Sequence, residues 1–260
     1  MAGTNKRHTS ILLLTIGLAA CGQPRVALPG GASTPAPDFA PAYAQARAAC
    51  EGVRVLQAEL GLSGRAAGQR MRGRVLAGLA PGALRLEGVA PFGVPVFILV
   101  ADDGRGTLLL SRERRVVLGA APEEILNALV GIRLGPDDLR AMLSGCVAAS
   151  AESAGARAYG ADWLVVDLAG GGSVYLRRMG NAWRIVAGRY KDLEIDYPAF
   201  QGERPSRVVL RGADLNLALA LEQVEVNGDL PRDQLVALKI PEDAAPLSIE
   251  QLRKAGPLGQ

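Results

Sequence analysis

Residues 107–145 read TLLLSRERRVVLGAAPEEILNALVGIRLGPDDLRAMLSG, and within them the hydrophobic period changes from strand-like to helix-like. Thr107–Leu110 and Arg115–Leu118 are short apolar runs on either side of a charged turn, which predicts a β-hairpin. Two segments that begin Pro122-Glu123-Glu124 and Pro136-Asp137-Asp138 follow. Proline in a first turn and acids at the positive end of the helix dipole favour two short helices. The chain therefore inserts a helix pair into a series of strands.

The two predicted helices each have one aliphatic face. Gly131 and Gly145 stand where helix ends are expected, so both helices are short. Such apolar faces are unstable in water, and we expect them to pack on the concave side of the sheet. The candidate lid or cavity-lining residues are Ile125, Leu126, Leu129 and Val130 in the first helix and Leu139, Met142 and Leu143 in the second.

Strand patterns extend on both sides of the helix pair. About six strands precede it from Val53 onward, after a short helix over Pro41–Cys50, and about six follow it from Trp163. The last is predicted over Leu235–Ile240, after a hairpin turn at Asn227-Gly228. Hairpin-length connections make the sheet antiparallel. The predicted fold class is mainly β (α+β): a strongly curved antiparallel sheet, or unclosed β-barrel, of about 11–12 strands with short helices as a lid.

One strand contains a change of phase. Leucine occupies the odd positions 215 to 221, whereas Val224 and Val226 occupy even positions. Alternate residues of a strand face opposite sides, so a slip of one residue would turn the apolar side outward unless the strand bulges. We expect a bulge or sharp bend near Glu222-Gln223.

The N-terminus has the features of a secretion signal. Lys6 and Arg7 precede an uncharged run, Ile11–Ala20, that is too short to cross a hydrocarbon core about 30 Å thick. The junction Leu18-Ala19-Ala20-Cys21 resembles the lipobox of bacterial lipoproteins, which implies cleavage after residue 20 and lipid attachment to Cys21. The alternative is an ordinary secretory signal followed by a chance cysteine.

These features divide the chain into four parts. Residues 1–20 are a lipoprotein signal peptide, and residues 21–40 are a lipidated tether rich in proline and glycine. The domain is assigned to residues 41–250, and 251–260 are a C-terminal tail. Gly22 rather than aspartate follows Cys21, which in enteric-type sorting indicates the outer membrane.

The amino-acid composition argues against several classes of function. Cleavage after residue 20 removes two positive charges from a formal net charge of +3 and leaves +1, with no basic cluster that indicates nucleic-acid binding. It also removes His8, the only histidine, and with it the usual general base and metal ligand. We therefore expect no enzyme activity, no metal and no cofactor. Arg70, Arg72 and Arg74 alternate along one strand and either meet anionic lipid headgroups or form a solvated face.

Two cysteines remain after Cys21. Export places Cys50 and Cys146 in an oxidising compartment, where a pair is readily interpreted as a disulfide. The alternative is two buried thiols, because free cysteine packs as a small apolar side chain.

The stretch from Leu84 to Gly145, LRLEGVAPFGVPVFILVADDGRGTLLLSRERRVVLGAAPEEILNALVGIRLGPDDLRAMLSG, resembles the LolA/LolB superfamily of lipoprotein carriers. It is most similar to the lipid-anchored LolA-like outer-membrane lipoproteins, in which a strand, a PFG turn, further strands and two short helices follow in this order. Val224–Asn227 and Leu235–Pro241 resemble the closing strands of that family. The resemblance implies an unclosed barrel with a helical lid over a hydrophobic cavity that accepts acyl chains.

Three functions compete. The first is a monomeric, lipid-anchored protein on the periplasmic face of the bacterial outer membrane that binds or transfers lipid or lipoprotein acyl chains. The second is a structural or envelope-assembly lipoprotein that acts through protein contacts. The third, more distant, is a hydrolase that uses the carboxylates of Asp102-Asp103 and Asp137-Asp138, although aspartates in a turn and in a first helical turn are expected for structural reasons.

We predict that Cys21 is acylated. In cells that express the full chain and are fed an alkyne analogue of palmitate, the wild-type protein should be labelled and the Cys21→Ser variant should not. A stable anchor needs more than one acyl chain, so the mass of the wild-type N-terminal peptide should show several. Equal labelling of the two proteins would contradict the lipobox interpretation.

Overall fold

The computed structural model describes residues 25–90, 95–150 and 152–255. The predicted signal peptide, Cys21 and the PFG turn at 91–93 lie outside these ranges. The helices are α1 (Ala40–Glu51), α2 (Pro122–Val130), α3 (Pro136–Leu143), α4 (Arg232–Val236) and α5 (Ile249–Ala255). The strands are β1 (Thr34–Pro35), β2 (Leu56–Ala66), β3 (Gln69–Ala80), β4 (Ala83–Val89), β5 (Pro95–Asp102), β6 (Arg105–Leu110), β7 (Arg115–Ala120), β8 (Ser153–Tyr159), β9 (Trp163–Leu168), β10 (Ser173–Met179), β11 (Ala182–Tyr190), β12 (Leu193–Gln201), β13 (Arg204–Gly212), β14 (Leu215–Val226) and β15 (Ala245–Pro246).

All of these strands belong to one sheet. Its order is β1-β8-β9-β10-β11-β12-β13-β14-β2-β3-β4-β5-β6-β7-β15, so two meanders, β2–β7 and β8–β14, are joined where β14 pairs antiparallel with β2. The first and last strands in this order have two residues each, and 13 longer strands lie between them. The predicted antiparallel fold class is confirmed, with more strands than the predicted 11–12.

The sheet curves around a single main core. Alternate residues of β14, from Leu215 to Leu221, belong to the same buried cluster as residues of distant strands such as Leu99 on β5 and Leu176 on β10. Side chains of α1, α2 and α3 complete that cluster. Strands so far apart in sheet order share one core only if the sheet bends, so this face is concave.

The predicted bulge in β14 is confirmed. Glu222 lies opposite Glu59, but Glu225 lies opposite Gln57, so β14 takes three steps where β2 takes two. Gln223 adopts a left-handed backbone conformation, with φ of 48°, to place the extra residue. The bulge lets both halves of β14 keep their pairing with β2 despite the change of phase.

The predicted last strand is wrong. Arg232–Val236 is the short helix α4, and residues 237–240 belong to neither a helix nor a strand. Asn227 does not turn a hairpin, because its side-chain amide is used elsewhere: Oδ1 accepts the N–H of Arg54 at 2.8 Å, and Nδ2 donates to the carbonyl of Gly52 at 2.8 Å. Leu235 is buried instead against Ala80 and Ala83 on the convex face.

Two predicted domain boundaries also need correction. The assigned tether, 21–40, is docked at its end: Thr34 and Pro35 pair with β8, and the N–H of Ala36 donates to Ala156. The assigned tail, 251–260, begins inside α5, where Leu252 is 1% exposed and belongs to the main core. Both segments are short and contain few apolar residues, so their composition does not indicate that they contact the domain.

Cys50 and Cys146 form a disulfide with a Cα–Cα distance of 5.8 Å, within the usual range of roughly 4.4–6.8 Å. Cys50 lies near the end of α1, and Cys146 follows α3. The bond therefore fixes the end of the helical insert to the first helix.

We predict that this disulfide protects both thiols and stabilises the domain. Alkylation under denaturing, non-reducing conditions should modify neither cysteine. The residues are separated by 96 positions, and a loop of that size corresponds to about 4–5 kcal/mol as an upper value. The Cys50→Ala/Cys146→Ala variant should therefore unfold at clearly lower urea concentration. Labelling of either thiol without reductant would contradict the bond.

Candidate functional site

The candidate site is the concave face of the sheet together with the helices that cover it. Every lid residue predicted from the sequence lies on that side: all seven belong to the main core or pack against it. Ile125 and Met142 have no exposed surface, Leu129 is 2% exposed, and Val130 is the least buried of the set. These residues are Ile125, Leu126, Leu129, Val130, Leu139, Met142 and Leu143.

Local sequence explains how α2 approaches the sheet. Gly131 ends the helix in a left-handed conformation, with φ of 74°, which favours glycine. Below α2, Gly106 on β6 has no side chain, and a Cβ atom there would come within 2.7 Å of Cδ1 of Ile125. The glycine thus provides the space into which Ile125 packs.

The helix α3 is held at its start by two adjacent carboxylates that point to opposite sides. Asp137 accepts the N–H of Gly82, in the β3–β4 turn, at 3.3 Å. Asp138 accepts the hydroxyl of Tyr190 at 3.3 Å and the ammonium of Lys191 at 3.0 Å, both near the β11–β12 turn. The pair considered for catalysis therefore connects α3 to two distant parts of the sheet.

The cluster around Asp138 shifts the pKa values of its neighbours. Burial, and next the charge of Asp138, raise the pKa of the Tyr190 phenol. Burial lowers the pKa of Lys191, but the hydrogen bond and charge of Asp138 outweigh it, so the net shift is upward. The ammonium form of Lys191 is thereby favoured. Lys191 also donates to the carbonyl of Arg133 at 3.2 Å, which connects the α2–α3 loop to the same cluster.

The end of α3 is fixed from inside the core. Tyr197 on β12 is 1% exposed, and its hydroxyl donates toward the carbonyl oxygens of Cys146, at 2.8 Å, and Met142, at 3.1 Å. Burial raises the pKa of Tyr197, so the phenol stays neutral and keeps its proton for these acceptors. This contact and the disulfide hold the end of α3, whereas Asp137 and Asp138 hold its start.

The helix α2 is held differently. Within the described ranges, no side chain of α2 takes part in a hydrogen bond or ion pair. Its packing contacts with β6 and with α5, whose Leu252 enters the main core, are apolar, and only the charge of Glu123 acts on the cluster of Asp138, through Lys191. One covering helix is thus connected by directional bonds, and the other by contacts that any aliphatic group could replace.

A cleft opens at the rim beside α2. It has a volume of about 610 Å³ and lies between the end of α2, at Asn127 and Gly131, and the β2–β3, β11–β12 and β13–β14 turns. Ala67 lies in the first of these turns, Lys191 in the second and Asp214 in the third. Leu193 and Leu215, which belong to the main core, also line the cleft.

The sequence pattern identified the apolar lid residues but missed the polar groups that hold α3. Tyr197 lies in a strand, and nothing in the sequence around it indicates that its hydroxyl faces the end of a helix. Within residues 25–90, 95–150 and 152–255, no group of three or more acids and cysteines is arranged so that it could bind a metal ion. Nor does any helix in these ranges have the length and apolar character needed to span a bilayer.

Solved structures share this fold at very low sequence identity. A LolA superfamily protein from Nitrosomonas europaea aligns over 76% of this chain and 97% of its own, with 9% identity and a TM-score of 0.52. A DUF1329 family protein from Desulfovibrio piger aligns over 77% and 98%, with 9% identity and a TM-score of 0.50. The lipoprotein LppX from Mycobacterium tuberculosis aligns over 75% and 100%, with 11% identity and a TM-score of 0.33, too loosely to support an argument.

No protein-family model and no curated protein matches the sequence. The predicted resemblance to the LolA/LolB superfamily is confirmed at the level of the fold.

We predict that Tyr197→Phe loosens the end of α3. Loss of the hydroxyl removes the donor to the carbonyl of Cys146 and one of the donors to that of Met142, which should lower the free energy of unfolding by about 1–2 kcal/mol in urea titrations. The matched control is Tyr175→Phe, on a half-buried strand residue whose hydroxyl bonds to no described residue, and it should have little effect. Equal losses in the two variants would contradict the role given to Tyr197.

Proposed function

We propose that this chain is a membrane-anchored, periplasm-facing lipoprotein that binds or transfers lipid or lipoprotein acyl chains. The observation that carries the proposal is the aliphatic concave face, covered by a helix, α2, whose side chains form no hydrogen bond or close ion pair among the described residues. Acyl chains make the same type of contact as the side chains of α2. The fold shared with a LolA superfamily protein supports this function by analogy.

The physical mechanism is an exchange of one apolar partner for another. If α2 lifts, Ile125, Leu126 and Leu129 lose their burial, which costs roughly 5–9 kcal/mol at about 1.5–3 kcal/mol for each side chain. An acyl chain that buries about ten methylene groups gains roughly 8 kcal/mol. One chain of ordinary length therefore offsets the opening of α2, whereas α3 stays connected through Asp137, Asp138 and the disulfide.

The proposed location is the periplasmic face of the outer membrane, with Cys21 as the anchor. The lipobox-like junction and Gly22 after the cysteine support this assignment. We also propose that the protein is not an enzyme. The structural use of Asp137 and Asp138 as connections for α3 supports this, because both carboxylates already have partners.

A structural or assembly role is the second candidate. It is favoured by the complete burial of Ile125 and Met142, since a core filled by its own side chains needs no ligand. The two candidates differ in what happens when the apolar contacts of α2 are removed.

We predict that Leu129→Glu tightens acyl-chain binding while the sheet survives, because the cost of lifting α2 no longer opposes the ligand. A charge below α2 is unfavourable in an apolar interior, and α2 can relieve it by lifting into water. Binding of a fluorescent fatty acid and far-ultraviolet circular dichroism should be measured on the same delipidated sample. The matched control is Leu118→Glu, at a leucine that is 60% exposed, which should bind the probe as wild type does.

Two outcomes would favour the structural role instead. One is wild-type protein that binds no acyl probe after delipidation. The other is cooperative loss of the strand signal in Leu129→Glu, because a close-packed interior cannot accept an unpaired charge.

A further inference from the structure

The tip of the β2–β3 hairpin concentrates positive charge on one face. Arg65 and Arg70 lie directly opposite each other in register, and Arg72 follows two residues along β3 on the same face. All three are exposed. In the part of the chain that the structure describes, none of them forms an ion pair, whereas Arg74 is neutralised by Glu59 at 2.9 Å.

This arrangement costs stability in the isolated molecule. Like charges directly opposite on neighbouring strands repel each other, and a single acid at position 63, opposite Arg72, would relieve the repulsion. Local features that oppose stability are expected where function requires them. Guanidinium groups bind phosphate through two parallel hydrogen bonds, so an array of phosphates is a well-matched partner.

The N-terminal segment passes close to these arginines. Arg25 lines a second cleft, of about 690 Å³, together with the arginines Arg65 and Arg211 and the acids Asp192, Glu194 and Asp214. The next residue, Val26, donates its N–H at 3.4 Å to Asp196, a carboxylate that is 6% exposed. The segment is therefore docked on the sheet beside the hairpin tip, and it does not extend freely as far as residue 40.

This docking limits the distance between the sheet and the proposed lipid anchor at Cys21. Four peptide units separate Cys21 from Arg25, and a fully extended chain covers at most about 3.6 Å per residue. A lipid anchor at Cys21 would therefore be attached at most about 14 Å along the chain from the Cα of Arg25. An anchor at Cys21 would bring the arginines to the level of the lipid headgroups.

We propose that Arg65, Arg70 and Arg72 form a membrane-contact surface that binds the phosphate groups of anionic phospholipids. The proposal rests on the acylation of Cys21 in the proposed function. It also assigns a direction to the cavity: Ala67, in the turn of the same hairpin, lines the rim cleft beside α2, so that cleft faces the bilayer.

The test uses the mature, acylated full chain reconstituted in two kinds of vesicle, phosphatidylcholine alone or with phosphatidylglycerol. A fluorophore is attached at Gln69→Cys, or at Leu118→Cys as the distant reference, and the vesicles contain a headgroup-labelled quencher. We expect strong quenching at residue 69 and weak quenching at residue 118, with the difference increased by phosphatidylglycerol.

Charge reversal then tests the arginines themselves. Because each basic residue near an anionic surface contributes about a five-fold factor in binding, R65E/R70E/R72E should reduce the quenching at residue 69 by about two-fold or more. The matched control, R105E/R112E/R178E, reverses three exposed arginines elsewhere and should leave it unchanged. Equal quenching at the two positions, or equal effects of the two triple variants, would overturn the proposal.

The result can be separated from a failure of the proposed function. The mass of the N-terminal peptide shows whether Cys21 is acylated, and the fatty-acid probe shows whether the cavity binds lipid. With both present, absence of contact at residue 69 counts against the arginine surface alone.

Discussion

The structure depends on one constraint: a curved antiparallel sheet presents an aliphatic concave face that must be covered. That face extends through strands from both meanders, from Leu60 on β2 to Leu164 on β9, and leaves one large core to fill. Two helices inserted between β7 and β8 fill it, with α1 and α5 at its margins. The hydrophobic effect requires burial of this surface but does not specify which apolar groups bury it. This lack of specificity makes the fold suitable for binding acyl chains.

The two covering helices differ in how they are held: directional contacts fix α3, whereas the apolar contacts of α2 can be exchanged for others. The start of α3 is connected to two turns of the sheet through Asp137 and Asp138, and its end to α1 and β12 through the disulfide and Tyr197. These directional contacts lose their partners if α3 moves, and buried polar groups left unpaired are costly. The contacts of α2 have no such penalty. We therefore regard α3 as the fixed part of the cover and α2 as the part that acyl chains displace.

Sequence periodicity predicted much of this arrangement because burial leaves a repeating trace. The two helices, their seven apolar residues and the bulge at Glu222-Gln223 followed from the spacing of apolar residues and from the proline, acidic and glycine residues at the helix ends. The parts that failed depend on contacts between distant residues. Asn227 resembled a turn residue, but its amide bonds to residues 52–55, more than 170 positions away. Leu252 and the pairing of Thr34 with β8 lie in short segments whose composition resembles that of a linker. Their burial is decided by the surfaces they meet, which no local pattern records.

The central claim is that α2 is the exchangeable part of the cover and that acyl chains take its place. Amide hydrogen exchange, measured on the intact mature protein with and without a fatty acid, tests this claim most directly. We expect the amides of Pro122–Val130 to lose protection when the fatty acid binds, while those of Pro136–Leu143 keep it. Unchanged protection in both helices despite binding, or equal loss in both, would contradict the account.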